Sequence, residues 1–302
     1  MGTQTPGVVQ LTDRYLHQMT DLVYYNGEYL SKADMRVDPD ERGWLLGDGV
    51  YDVVAAYRGT FVGLNTHVQR LARSQREAGI TTLMPHDWSA IAHELLRQNG
   101  LDTMERAVVY IQVTRGVAPR AHAFPRAQVP PTVYAYARPF RALHEGATGC
   151  QAITVSDTRW SRCDIKSISL MANCMANQRA YEAGAYEAIF VRDGVVLEGT
   201  HTNVFAVIDG VVRTAPLTNY LLAGVTRGII LDLCRTQGII FREATISEAE
   251  FRRAEEIFVT GTTTEVLPIV RLDGRPVAMG DVGVVTQRLQ QLYFAAARAG
   301  TI

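Results

Sequence analysis

Glu187-Ala-Ile-Phe-Val-Arg-Asp-Gly-Val-Val-Leu-Glu-Gly-Thr-His-Thr-Asn-Val-Phe-Ala-Val-Ile-Asp-Gly-Val-Val-Arg-Thr214 is the stretch on which the fold class turns. Two apolar runs, 187–192 and 195–197, flank Asp193-Gly194, and two more, 204–208 and 211–214, flank Asp209-Gly210. Asp-Gly between such runs predicts a tight hairpin, because both central residues of the turn need positive φ. Between the two hairpins stands a polar turn, Glu198-Gly-Thr-His-Thr-Asn203. Asn26-Gly27 within 22–30 and Arg58-Gly59 between 50–57 and 60–64 predict two further hairpins. Helical patterns lie apart from them. One begins at Asn65 and ends before Gly79; others cover 86–98, 167–183, 224–237 and 282–297, and a capping box at Ser247-Glu-Ala-Glu250 opens a short one. Strands are expected at 107–114, 132–137, 150–155, 257–260 and 266–270. Hairpins mixed with segregated helices predict an α+β fold rather than a doubly wound α/β sheet.

The 302 residues suffice for two domains at roughly 100–200 residues each. The Pro- and Gly-containing stretch 138–149 is the expected linker, giving domains 1–140 and 141–302, with a polar extension over about residues 1–20. The net charge of -1 gives no field that would recruit nucleic acid or an anionic membrane. The longest run without Asp, Glu, Lys or Arg is 214–226, too short to span a bilayer. No basic segment followed by an apolar one opens the chain, so a cytoplasmic location is expected. Cysteines 150, 163, 174 and 234 form no CxxC pair, so reduced thiols and no metal site are expected.

Of the 30 basic residues only Lys32 and Lys166 are lysine. Arg cannot replace Lys in imine chemistry, because its guanidinium stays protonated. Lys166 stands where a helix is expected to begin, and the helix dipole there opposes its charge. Two turns suit a phosphate: Gly224-Val-Thr-Arg227, opening a helix, and Gly261-Thr-Thr-Thr264, following a strand. Taken singly, each turn is equally an ordinary cap, and Lys166 an ordinary loop lysine. No GxGxxG or GxxxxGK[ST] is present, which disfavours a Rossmann or P-loop nucleotide site.

Over about residues 22–295 the sequence resembles the fold type IV pyridoxal-phosphate aminotransferases, most closely their D-amino-acid branch. The matching motifs are Arg42-Gly-Trp-Leu-Leu-Gly-Asp-Gly-Val-Tyr51, His67-Val-Gln-Arg70, Val113-Thr-Arg-Gly-Val-Ala-Pro-Arg-Ala-His122 and Arg162-Cys-Asp-Ile-Lys166. Tyr186-Glu-Ala-Ile189, Glu198-Gly-Thr-His-Thr-Asn-Val-Phe205, Gly224-Val-Thr-Arg227 and Phe258-Val-Thr-Gly-Thr-Thr-Thr-Glu265 follow in order. The resemblance implies pyridoxal 5′-phosphate held between the domains as a Schiff base on Lys166. It implies Glu198 facing the pyridine nitrogen, Leu222 packing on the ring, and Glu187 as a second carboxylate near Lys166. It also implies Arg70 on the phosphate, with Thr226, Thr262 and the neighbouring amides of Val225 and Gly261 completing the cup. Tyr51, Arg120 and His122 would trap the substrate α-carboxylate, the last two lent by the other subunit of a homodimer. The implied reaction moves an amino group from a D-amino acid such as D-alanine to a 2-oxo acid such as 2-oxoglutarate. Activities of the same fold are the alternatives: (R)-amine, branched-chain, or aminodeoxychorismate lyase-like. The departures are Asp52 where Glu is more usual, Trp44-Leu45-Leu46, and His201 in a turn usually filled by small hydroxyl residues.

Overall fold

The structure, a computed structural model, describes residues 22–81, 86–126, 128–141 and 149–302. The expected extension over residues 1–20 and most of the expected linker lie outside the described residues.

Six strands build a first, wholly antiparallel sheet: β1 (Leu22–Tyr25), β2 (Glu28–Ser31), β3 (Gly49–Tyr57), β4 (Thr60–Phe61), β5 (Ala107–Thr114) and β6 (Val133–Pro139), in the order β2-β1-β6-β5-β3-β4. Helices α1 (Arg42–Leu46), α2 (Leu64–Glu77) and α3 (Trp88–Gln98) accompany it. The second sheet takes β7 (Cys150–Ser156), β8 (Glu187–Arg192), β9 (Val195–Gly199), β10 (Asn203–Ile208), β11 (Val211–Thr214), β12 (Phe241–Glu243), β13 (Ile246–Ser247), β14 (Glu256–Gly261), β15 (Glu265–Leu272) and β16 (Arg275–Pro276). With it run α4 (Met171–Glu182), α5 (Val225–Thr236), α6 (Glu248–Phe251) and α7 (Val284–Ala299). Its path is β12-β11-β10-β14-β15-β7-β8-β9-β13, and the pair Asn203↔Glu198 joins β9 back to β10, closing the sheet on itself.

The four two-residue turns form as expected. Asn26, Arg58, Asp193 and Asp209 have φ of 48–51°, and each following glycine is also positive. Helices α3, α5 and α7 begin one or two residues later than expected, and at α2 and α4 the difference has an identifiable cause. Helix α2 begins at Leu64, with Gly63 at φ 61° rather than Asn65 at its cap. Gly63 is needed for contact as well: a Cβ there would stand 2.9 Å from Val225 Cγ1 on α5. Helix α4 begins at Met171 rather than Ser167, because the preceding backbone is already committed to the first sheet. Tyr51 N donates to Lys166 O at 3.0 Å, and Ile168 N donates to Gly49 O at 3.1 Å. Lys166 therefore directly precedes Ser167, which bridges to Val50 of β3, and is not on a helix end, so the dipole argument does not apply to it.

The sheets share a core. Ala55, Tyr57, Val62 and Val108 of the first layer pack with Phe205 and Phe258 of the second sheet and with Ile230, Leu231 and Leu289 of its helices α5 and α7. Phe205 and Phe258 stack with centroids 4.8 Å apart and ring planes 5° from parallel. Truncation of such a fully enclosed ring loses transfer free energy and leaves a cavity. Phe258→Ala is expected to cost about 3–5 kcal/mol, read as a lowered urea midpoint. A shift below ~1 kcal/mol would mean that the surroundings collapse into the space and the ring's burial contributes little.

Candidate active site

A cavity of about 380 Å³ opens between the sheets. It brings together Tyr51, Arg70, Lys166, Glu198, Leu222, Val225, Thr226, Gly261 and Thr262, all singled out from the sequence. Arg120, His122 and Glu187 are not on its wall.

Lys166 Nζ lies 4.4 Å from the centre of the Tyr51 ring. Its backbone is pinned on both sides, since Lys166 N also donates to Ser74 Oγ at 3.2 Å. The amine thus projects from a segment bonded to β3 and α2, both parts of the first sheet's layer.

Glu198 is 5% exposed at the point where β9 meets β10. Oε1 accepts from Arg159 Nη1 at 2.5 Å, and Oε2 accepts from Leu222 N at 2.9 Å and Asn203 Nδ2 at 3.4 Å. Arg159 is itself fixed by both oxygens of Asp157 and by Tyr220 O, and lies 4.1 Å from the Phe190 ring centre. Burial still dominates. It pushes the Glu198 carboxyl up to about 7, with Arg159, the Leu222 amide and Lys166 pulling the other way. A carboxyl in that balance gains its full charge when a further positive group arrives at the cavity.

Arg70 on α2 donates from Nε and Nη2 to both oxygens of Asp52 and from Nη1 to Ala223 O at 3.1 Å. His67 Nδ1 adds a 2.7 Å contact to Asp52. Burial works against the Asp52 charge, but Arg70 and His67 outweigh it and hold the carboxyl well below its ordinary range. Asp52 is shorter than Glu by one methylene and still meets Arg70 in bidentate geometry. Arg70 therefore faces the cavity with its orientation already fixed.

Another part of the wall is made of amides and hydroxyls. Helix α5 starts with Gly224 at the cap and no side-chain cap bond, so its first N–H groups are open to a ligand. Gly224 is obligatory there: a Cβ would fall 1.9 Å from Asn203 Oδ1. Thr226 lines the cavity from this helix start, and Gly261 and Thr262 from the β14–β15 turn. The Thr260 hydroxyl, 1% exposed on the same wall, has no partner among the described residues. A buried unpaired hydroxyl costs free energy unless a ligand or water satisfies it. Arginine, open helix amides, threonine hydroxyls and a close-fitting glycine together fit a phosphate monoester. A buried carboxylate and a lysine fit the two ends of a protonated pyridine aldehyde.

Glu187 has another place. It is fully buried and accepts from Ala188 N, Thr200 N, Thr200 Oγ1 and Thr202 Oγ1, at 2.6–3.0 Å, so it fastens the 199–202 turn from beneath. His201 does line the cavity. Its Nδ1 lies 3.0 Å from Thr200 Oγ1 and its Nε2 3.2 Å from Tyr186 OH. Arg120 and His122 stand exposed on the 115–126 loop, and His122 borders a neighbouring pocket with Arg115 and Phe124. The loop is tied down at its base. Arg42 Nη1 donates to Ala121 O at 2.8 Å, and the Arg115 guanidinium lies 3.5 Å from the centre of the Phe124 ring. Sequence reasoning missed Arg159, Asn203 and Thr260. Asn203 was legible as the end of the polar turn, whereas Arg159 carried no signal in a chain with so many arginines.

Residues 49–272 match the amino-transferase class IV family, and the chain belongs to it. It is accordingly an aminotransferase by class. The chain is 38% identical over 274 residues to a D-alanine aminotransferase of Staphylococcus aureus, covering 89% of this chain and 95% of that one. In structure it is similar to the branched-chain amino acid aminotransferase of Escherichia coli, with TM-score 0.84, 25% identity and coverage of 94% and 96%. A branched-chain amino acid aminotransferase of T.th., solved with pyridoxamine 5′-phosphate, matches at TM-score 0.83 and 25% identity, over 93% and 95%.

The raised Glu198 pKa has a measurable sign. In the unfolded chain this carboxyl loses its proton first, so the cofactor-free protein loses stability as pH climbs from 4.5 to about 7. Relative to Glu198→Gln, wild type is expected to lose up to about 3 kcal/mol across that window. Urea midpoints of the two proteins at a series of pH values test this. Parallel curves would show that Glu198 ionises like an exposed carboxyl.

Proposed function

We propose that the protein binds pyridoxal 5′-phosphate between domains 1–140 and 141–302 and transfers the amino group of a D-amino acid, such as D-alanine, to a 2-oxo acid such as 2-oxoglutarate. The observation that carries this is the presence, in one cavity, of Lys166, the buried Glu198 and a group of amides and hydroxyls suited to phosphate. The 38% identity to a D-alanine aminotransferase supports the substrate class.

Each side chain then has a task. Lys166 Nζ would hold the cofactor covalently and, once displaced as a free amine by the incoming substrate amine, would take the substrate Cα proton. The cofactor, when bound, supplies an electron sink for the pair that proton leaves behind. Glu198, steadied by Arg159 and the Leu222 amide, holds a proton at the ring nitrogen, which keeps that sink effective. Arg70, Thr226, Thr262 and the amides of Val225 and Gly261 bind the phosphate, and Leu222 packs on the ring. Tyr51, with Arg120 and His122 contributed by a second copy of the chain, holds the α-carboxylate. Two observations support that last point: Tyr51 is on the cavity wall, whereas Arg120 and His122 point to solvent from a loop with a fixed base. The protein then works as a homodimer whose sites are completed across the interface. The likeness to branched-chain enzymes at 25% identity supports a rival reading, in which L-leucine or L-valine is the donor.

Borohydride reduction followed by peptide mapping is expected to label Lys166; label on Lys32, or none, refutes the assignment. Half-reactions with D-alanine, D-glutamate, L-leucine and (R)-phenylethylamine separate the substrate classes, and faster turnover of L-leucine than of D-alanine favours the rival. Arg120→Ala is expected to lower kcat/KM for D-alanine relative to (R)-phenylethylamine by about 30–1,000-fold. That follows from losing a guanidinium–carboxylate pair of roughly 2–4 kcal/mol that an amine never makes. An equal loss for both donors would make Arg120 structural.

A further inference from the structure

Behind the phosphate-suited wall, four buried polar side chains connect the sheets. Tyr57 ends β3, Arg106 immediately precedes β5, Glu265 opens β15, and Tyr293 lies on α7. All four are nearly or fully buried, Glu265 at 0% exposure. The Tyr57 hydroxyl donates to Glu265 Oε1, and Arg106 Nε donates to the same oxygen at 3.0 Å. The Arg106 guanidinium also lies 5.6 Å from the centre of the Tyr57 ring. Tyr57 and Thr226 both act electrostatically on the buried Tyr293 hydroxyl. A chain of polar groups thus runs from the first sheet, through Glu265, Tyr57 and Tyr293, to the Thr226 hydroxyl on the cavity wall.

Glu265 occupies an unusual backbone position. Its φ is +58°, in the left-handed region, directly after the Gly261–Thr264 turn, and Gly261 pairs across to it. Glycine or asparagine adopts that conformation with less strain than glutamate. The side chain is what keeps the residue there, since the donors Tyr57 and Arg106 come from the other sheet. Joining two sheets needs no buried charge, because apolar side chains of similar volume do it as well or better. Removing one partner from such a pair leaves an uncompensated charge, so the geometry is strongly fixed once formed. What this cluster adds is a rigid path that ends on the turn after β14 and on the start of α5. Glu265 is not on the cavity wall. It acts through its neighbours.

We propose that Glu265 is a positioning residue for the phosphate monoester of the cofactor. Held by Tyr57 and Arg106 of the first sheet, it sets the 261–264 turn directly and the Thr226 hydroxyl through Tyr293. The phosphate cup is thereby preorganised by the sheet that does not contribute it. This rests on the assignment of Thr226 and Thr262 to phosphate made above.

The test compares two ligands that differ only in the phosphate. Cofactor-free wild type, Glu265→Gln and Tyr293→Phe are titrated with pyridoxal 5′-phosphate and with pyridoxal, following the absorbance of the bound chromophore. Glu265→Gln keeps the volume and removes the charge; Tyr293→Phe removes only the hydroxyl and serves as the measure if the first variant does not fold. Glu265→Gln is expected to weaken pyridoxal 5′-phosphate by about 10–100-fold and pyridoxal by less than about 3-fold. Tyr293→Phe should shift the same ratio in the same direction by about 3–10-fold. Equal weakening of both ligands, or no change in either, overturns the proposal, because a merely structural role does not distinguish them. Failure of wild type to bind pyridoxal 5′-phosphate at all would instead refute the functional assignment on which this one rests.

Discussion

The second sheet closes through one residue pair, Asn203 with Glu198, and the active-site cavity exists because of how that closure is made. Strands β9 and β10 are consecutive, yet they touch only where the chain turns between them. The turn 199–202 would be expensive to bury with its amides and hydroxyls unpaired. Glu187, at the start of β8, satisfies Thr200 and Thr202 from inside the sheet. Gly199 passes so close to it that a Cβ would stand 2.6 Å from Glu187 Oε2. With the turn held in this way, Glu198 and Asn203 are left facing the cavity side by side, and Asn203 in turn bonds Leu222 O and excludes any side chain at Gly224. One buried carboxylate thus sets the position of a second, of Leu222 and of the helix start beyond it.

Charge burial recurs around this centre, always with compensation. Asp52 meets Arg70 and His67, Glu198 meets Arg159, Glu265 meets Arg106, and Glu256 accepts the Val285 and Thr286 amides that open α7. Isolated, any of these would revert to its neutral form or unfold the region. Paired, each holds two elements in one orientation with little freedom. Glu198 is the exception in degree: burial keeps it near the midpoint of its titration even with Arg159 beside it. In the proposed function that imbalance is useful, because the missing positive charge is the one a protonated ring nitrogen brings.

Local signals were the legible part of the sequence. The two-residue turns needed only positive φ at adjacent positions, and the neighbouring strands followed from them. The cavity residues on those strands and turns were legible through motif resemblance, which carries spacing but not partners. Tertiary commitments were illegible. Helix α4 starts late because Lys166 and Ile168 bond across to β3, an event no local pattern records. Glu187 is one residue type with two plausible duties, and only the neighbouring threonines distinguish a turn fastener from a cavity wall. Arg159 acquires meaning from Asp157 and Glu198, thirty-nine positions from the latter.

In the proposed homodimer the substrate side follows from a different constraint. A side chain that must complete another copy's site cannot be buried in its own chain, yet it must not wander. The 115–126 loop meets both demands. Arg115 donates to both oxygens of Asp48 and to Gly79 O and Ala78 O, and Arg42 shares Asp48 while reaching Ala121 O. These bonds lock the root of the loop to α1, β3 and the end of α2, so the entropy of ordering it is lost on folding rather than on binding. Phe124, 58% exposed over the Arg115 guanidinium, presents an apolar face beside Arg120 and His122. Recognition groups carried on a fixed root and left open to solvent are what a shared site requires. The same anchoring ties the loop to Asp48, directly before the strand that carries Tyr51, so within each chain the residues proposed for the carboxylate trap are built on one rigid frame.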